Sequence, residues 1–278
     1  MAKLQYISPW VPSAQDALTR ENNKLHEMDH FPARHNLAMG RSFIVMCSGN
    51  VMEEIREKLK RPAIVFEIGG FKASDDPLES WFGKVNVCSP GEVWPSMDGV
   101  PMRALCQINL ANLPFRPSRL TDIEFITLFI GPKELPSNAP NGQNWCLRTY
   151  QSLSALVPIG QPDTKSMVKA FPMRPRVVEE DFPCREDLPF DLPESVQDNY
   201  EDLFSNVSGL KLGGWPTLIQ SEIFWAPWNQ HPAAPEYVFQ VDSEPKANWS
   251  WGDGGVGYFG RGTAKGKEED WACEWQCY

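Results

Sequence analysis

Apolar and polar positions change their period along the chain. Up to about residue 60 the spacing is helical. Ala14, Ala17, Leu18, Leu25 and Met28 form a loose stripe after Pro12-Ser13, and Pro32 ends it. Ser42–Cys47 is a short apolar run that reads as a strand. Asn50 is a good N-cap for a second helix, with Val51, Ile55 and Leu59 on one face and Glu54 placed to pair with Lys58. Pro62 stops that helix. Ala63–Ile68 then reads as a strand closed by Gly69-Gly70.

From Leu78 the period drops to two. Gly91–Pro95 and Asp98-Gly99 are turn signals. Met102, Ala104, Cys106, Ile108 and Leu110 are predicted to point one way from a strand, and Arg103, Leu105, Gln107 and Asn109 the other. Ile123–Ile130 is apolar almost throughout, as in a strand covered on both faces. Trp145–Val157 supplies another strand or two. Residues 158–209 are rich in proline and acid and read as a long surface connection, with a short helix around 194–204.

Two segments repeat an order of features. Lys84-Val85, Pro90, Trp94-Pro95 and Gln107-Ile108-Asn109 lead to the apolar run at 123–130. Lys211-Leu212, Pro216, Gln220 and Gln240-Val241-Asp242 lead to Gly255–Phe259. In each, an amide and an Asn or Asp two positions later share one face of a strand. The predicted fold is α+β. Two pseudo-repeated, mainly antiparallel β halves share a core, and an N-terminal helical segment covers 1–60. The α+β domain spans 61–278, with halves at about 61–157 and 205–278.

Composition narrows the function classes. The chain has 278 residues, 11 of them Trp, and a net charge of -10. That charge, with no Lys/Arg-rich run, argues against nucleic acid and suits a basic protein partner. No apolar run reaches the roughly 20 residues of a membrane helix, and the first ten residues lack a signal-peptide core. The expectations are a cytoplasmic protein and no membrane partner. Seven cysteines, an odd set without a C-x-x-C pair, read as reduced packed thiols.

Gly213-Gly214 before Trp215-Pro216 reads as a tight turn; no Gly-Lys-Ser/Thr follows, so it is not a phosphate loop. Gly252–Gly257 lacks the strand–turn–helix context of a nucleotide loop and fits a strand lying under bulky rings such as Trp251. Gln107, Asn109, Gln240, Asp242 and Asp253 are the polar candidates for a shared cleft. Two carboxylates there could serve acid–base work or hold a cation, and strand-end Gln and Asp also satisfy backbone groups. Trp215, Gln220, Trp225, Trp228 and Trp251 complete the candidate partner-binding set, with Trp225 and Trp228 on a loop where rings are hard to bury. His26 and His30 fall at i, i+4, with His35 nearby, but no His-Glu-x-x-His order is present, and they read as solvated helix-end residues. No catalytic constellation, metal site or cofactor is predicted.

The words Leu78–Lys84, Trp94-Pro95, Leu105–Leu110, Lys211–Pro216, Phe239–Ser243, Trp251–Phe259 and Trp275–Tyr278 together resemble the YwqG-like family, a bacterial family of largely uncharacterised domains. The resemblance covers roughly 61–278. It implies an α+β fold with an internal duplication. Members often occur near toxin systems, which implies an immunity role, and the family supplies no established catalytic residues. Val85–Pro90 departs from the Gly-Gly-x-Pro turn usual in the family's first half. The function read from all this is a non-catalytic protein-binding protein of the immunity kind, neutralising a cognate toxin. The alternative is a small-molecule-binding protein or hydrolase-like enzyme using Gln240, Asp242 and Asp253.

Overall fold

The computed structural model describes residues 51–136, 139–163, 166–223 and 231–278. The helix and strand expected within 1–50, His26, His30 and His35, and the loop tryptophans Trp225 and Trp228 lie outside the described residues. Helix α1 covers 51–59. Of the face that the i, i+4 spacing selects it buries Ile55 and Leu59, while Val51 is exposed.

Fourteen strands follow among the described residues: β1 (Arg61–Ile68), β2 (Trp81–Phe82), β3 (Val87–Cys88), β4 (Ser96–Met97), β5 (Val100–Pro101), β6 (Arg103–Asn109), β7 (Phe125–Ile130), β8 (Trp145–Tyr150), β9 (Val157–Pro158), β10 (Phe171–Asp181), β11 (Lys211–Gly213), β12 (Glu236–Asp242), β13 (Val256–Arg261) and β14 (Trp271–Gln276). Two one-turn helices, α2 (Glu194–Gln197) and α3 (Tyr200–Leu203), lie between β10 and β11. Ten strands form one sheet in the order β14-β13-β12-β11-β1-β10-β2-β6-β7-β8. Every neighbouring pair is antiparallel. The architecture is therefore a mainly antiparallel sheet with few helices, broadly α+β.

The sheet curls until its flanks meet. Trp145 of β8 lies 5.9 Å from Phe259 of β13, ring centre to ring centre, and Trp275 Nε1 of β14 donates to Pro136 O at 2.6 Å. One core fills the inside, with Ile64, Phe82, Ile108, Leu128, Phe239 and Trp251 all buried in it. Strand β7 is buried at all six positions, as its unbroken apolar run requires.

The ladders around Gln107 and Gln240 run alike. Gln107 pairs with Trp81 on one side and Thr127 on the other; Gln240 pairs with Lys211 and Tyr258. Each ladder slips by one residue just before that glutamine, between Ala104 and Cys106 and between Tyr237 and Phe239. This bulge corrects the simple alternation expected for 102–110. It turns two successive residues, Leu105 and Cys106, to the main core, while Met102 and Ala104 pack on the opposite face against Val85 and Phe129. In β12, Val238 and Phe239 likewise enter the main core, and Tyr237 packs outside it.

A second correction concerns 158–209. The expected surface connection contains β10, eleven residues long and sixth of the ten strands in the sheet order. Strand β1 sits between β10 and β11, and β10 sits between β1 and β2. Each central strand thus joins the flank that follows the other in sequence.

Candidate functional site

The turn after β11 is the structural centre of the second flank. Gly213 and Gly214 both take positive φ, +70° and +64°. A Cβ on Gly214 would collide with Asp181 Oδ2 and Ala63 Cβ, so the second glycine is required by close approach as well as by conformation. The approach brings the N–H of Trp215 to Asp181 Oδ2 at 2.7 Å.

Beneath the turn lies a closed polar network. Asp181 and Lys211 side chains are fully buried, with Nζ 2.9 Å from Oδ2. Asp181 Oδ1 also accepts the N–H of Val207 at 2.8 Å. Burial holds the Lys211 ammonium below its usual pKa, and the adjacent Asp181 charge opposes that shift. Gln240 is fully buried; its Oε1 accepts the N–H of Thr217 at 2.8 Å, and its Nε2 donates to Asp242 Oδ1 at 2.7 Å. Asp242 Oδ2 accepts the N–H of Gly209 at 2.7 Å. Burial raises Asp242 to about 6, against those hydrogen bonds.

Gln107 does the matching work on the other flank. Its Oε1 accepts the N–H of Asn86 at 2.6 Å, and its Nε2 donates to the carbonyls of Pro77 and Glu79. Asn109 donates to Leu78 O and accepts from the N–H of Ala111. Gln107 and Gln240 therefore do not meet in one cleft. Asp253 sits on an exposed turn and makes no side-chain hydrogen bond to Gln240 or Asp242. Gln220 is exposed and donates to Cys277 O at 2.6 Å. Trp251 is wholly buried, edge-on to Trp249 and directly over Gly257.

Above the turn opens a cleft of ≈ 750 Å³. Trp215 forms its wall; the residue is buried, and its Nε1 donates to Leu59 O at 2.6 Å. The Arg61 guanidinium lies 3.3 Å over that ring. Asp187, Glu222, Glu236, Arg116 and Arg119 complete the charged lining, and Pro62, Ile223 and Pro235 are among the apolar groups. Burial pushes the Asp187 carboxyl up to about 6; Arg61 pulls it back and Glu222 pushes it further. Burial likewise lowers Arg61, against the attraction of Asp187, Asp181 and Glu236. Tyr237 lines the cleft, and its phenol is held well above its usual pKa by burial.

Among the described residues no group of three or more His, Cys, Asp or Glu side chains is placed to hold a metal ion. No helix among them is long and apolar enough to cross a membrane.

Of the candidate residues, Trp215 lines the cleft and Gln240 and Asp242 support it from beneath. Arg61, Asp187 and the Asp181–Lys211 pair escape a reading of the sequence. Arg61 looks like a helix-end residue before the proline that stops the helix, and Asp187 like one more acid in an acidic stretch. Asp181 and Lys211 are thirty positions apart, and no local pattern joins them.

A family model matches residues 80–277; its description is a domain of unknown function, DUF1963. Among curated proteins, none matches the chain.

Proposed function

We propose, for a chain that belongs to the DUF1963 family of domains of unknown function, a non-catalytic role in binding another protein through the cleft above the Gly213–Pro216 turn. One observation carries this reading. The polar groups suited to chemistry, Gln240 and Asp242, are spent on their own backbone and on each other. The groups facing the cleft, Trp215 with Arg61 on its ring and Asp187 and Glu222 at its edge, are recognition groups. A partner of basic surface suits the net charge of -10.

The finer identity belongs to the same proposal. The chain is YwqG-like, cytoplasmic, and an immunity protein that neutralises a toxin by occupying it. The internal duplication is part of it too. The matched slips in β6 and β12, and the equivalent bonds of Gln107 and Gln240 to carbonyls two residues before β2 and β11, support two repeats of one unit. Gly83 after β2 has φ +73°, close to Gly213 at the end of β11, which supports a glycine turn in the first half as well.

The alternative, a small-molecule binder or hydrolase-like enzyme, draws support from the size of the cleft. It draws none from the Gln240, Asp242 and Asp253 set, since Asp253 stands apart on its turn. The test is stoichiometric capture from the native host, with growth rescue against the product of a neighbouring toxin gene. The full chain and a Ser118→Trp variant are compared, since Ser118 is exposed on the cleft lip and its replacement blocks the opening. One partner recovered by the full chain and lost by the variant, with matching rescue, supports the proposal. Equal capture by both sinks the cleft as the binding site, and no partner with no rescue sinks the binding role.

A further inference from the structure

We infer that the cleft is built to take a charge pair: a segment of the partner protein that brings one carboxylate to Arg61 and one cationic side chain to Asp187. The inference rests on the protein-binding reading above and adds the chemistry of what is bound.

The cleft lining holds three arginines, Arg61, Arg116 and Arg119, and three carboxylates, Asp187, Glu222 and Glu236. Their formal charges cancel, so a purely anionic or purely cationic ligand meets as much repulsion as attraction. The arginines are not equivalent. Arg116 donates to the carbonyls of Leu110, Thr121 and Ile123. Arg119 donates to the carbonyls of Arg261 and Gly262 and faces Glu236 at 3.9 Å. Both are occupied in holding loops to the sheet. The Arg61 side chain makes no hydrogen bond and no ion pair among the described residues, and its guanidinium rests on the Trp215 ring.

That contact holds the guanidinium against the ring, and no described residue hydrogen-bonds its edges. A planar fork held in this way has the geometry that a carboxylate accepts with both oxygens. The stacking restricts the side chain before anything binds, so less rotamer freedom is lost on capture.

Asp187 is the complementary half. It ends a short turn, Arg185–Asp187, and is half-buried, with no hydrogen bond or ion pair on its carboxylate among the described residues. Arg61 and Glu222 are the charged groups that act on it, with opposite effects. Arg61 and Asp187 stand too far apart to form an ion pair with each other. Two unlike charges, Arg61 exposed and Asp187 half-buried, thus stand beside an apolar wall of Trp215, Pro62 and Ile223, and neither side chain has a hydrogen bond or ion pair among the described residues. A ligand that matches one alone leaves the other unpaired, and a ligand carrying both charges relieves both.

The experiment is an NMR titration of the full chain, read on the Nε–Hε resonance of Arg61, which is assigned by its loss in Arg61→Lys. The probes are capped tetrapeptides with glutamate and lysine adjacent or one residue apart, the matching peptides with either charge replaced by glutamine, free lysine, and inorganic phosphate. A paired peptide should bind saturably in the millimolar range, about tenfold tighter than either single-charge peptide. Asp187→Asn, and Arg61→Lys read on the backbone amides of the cleft lining because it lacks the Nε–Hε probe, should each erase that advantage while leaving the rest of the spectrum in place. Equal affinity for paired and single-charge peptides overturns the inference, as does tightest binding of phosphate or no response to any probe. Free lysine binding as well as the paired peptide overturns the partner-segment assignment in favour of a metabolite. Partner capture that is lost in Ser118→Trp but unchanged in Arg61→Lys and Asp187→Asn leaves the binding role standing and removes the charge-pair inference alone.

Discussion

Asp181 and Lys211 show how much of this fold rests on single buried polar groups. Both side chains are out of water, and the carboxylate takes Nζ together with the N–H groups of Trp215 and Val207. Lys211→Met removes the cation and leaves a buried carboxylate with two amides, a loss of about 3–5 kcal/mol. The chain should melt well below wild type by circular dichroism; an unchanged melting temperature means the pair holds nothing together. Asp187 gives the pH prediction. Its native pKa of about 6 stands above the ordinary 3.8, so the folded chain binds the proton more tightly than the unfolded one. Stability therefore falls as pH rises between those two values and is flat above them. Asp242, also raised to about 6, contributes with the same sign. Asp187→Asn should flatten roughly half of that slope and stabilise the chain near neutrality by about 1 kcal/mol. Urea midpoints measured from pH 4 to 7 check it, and parallel curves for both proteins refute it. At this scale the sequence was legible where a word repeats. Gln107-Ile108-Asn109 and Gln240-Val241-Asp242 marked the two glutamines that lock loops to the sheet. Arg61 and Asp187 carried no such mark, because their roles come from a cleft assembled out of distant segments.

Elements were legible where period and composition agree, as in β6, β7, β12 and β13. Strand β10 was not, because Pro172 and Pro175 sit in it and its exposed residues are charged. The register explains why the prolines are tolerated. Pro172 faces the β1 side beyond Ile68, where Gly69 N–H reaches its carbonyl. Met173 N–H bonds Ser80 O on the β2 side, and Pro175, two residues on, faces that side past the end of the two-residue β2. Neither ring displaces a ladder hydrogen bond. Strand β13 owes its path to Gly257, where a Cβ would run into the six-membered ring of Trp251. That ring is enclosed by Trp249 and Phe259 and has nowhere to go. Gly257→Ala should cost about 3 kcal/mol by overpacking, and a variant that melts with wild type would show that the ring can move. Strand β14 lies at the sheet edge but buries Trp271, Ala272 and Cys273. Chains ending at Asp270 should therefore unfold at lower temperature than the full chain; coincident melts would mean the edge strand adds nothing to the core.

On the scale of the whole molecule, the order of strands matters more than their number. Two central strands, β1 and β10, join the flanks of the sheet. The joint is an exchange: β1 precedes the first flank in sequence yet pairs with β11 of the second, and β10 precedes the second flank yet pairs with β2 of the first. Between the flanks, β1 and β10 pair over seven registered positions. A chain cut between Asp163 and Ser166 would leave β1 without both of its neighbours and β10 without both of its own. The main core draws on both pieces, with Ile64, Phe82 and Leu128 from one and Phe239, Trp251 and Phe259 from the other, so each piece alone exposes the apolar face it should bury. Expressed apart, the two pieces should give no cooperative melt and broad, collapsed amide spectra. Expressed together, they should reassemble into one complex with a single transition, because the pairings between them need no continuous chain. The ladders that reassembly must close are long-range, so it should be slow compared with the folding of a helical bundle of similar size. A single piece that melts cooperatively by itself would mean that a flank carries its own core, and the exchange of central strands would then be a junction between two finished domains.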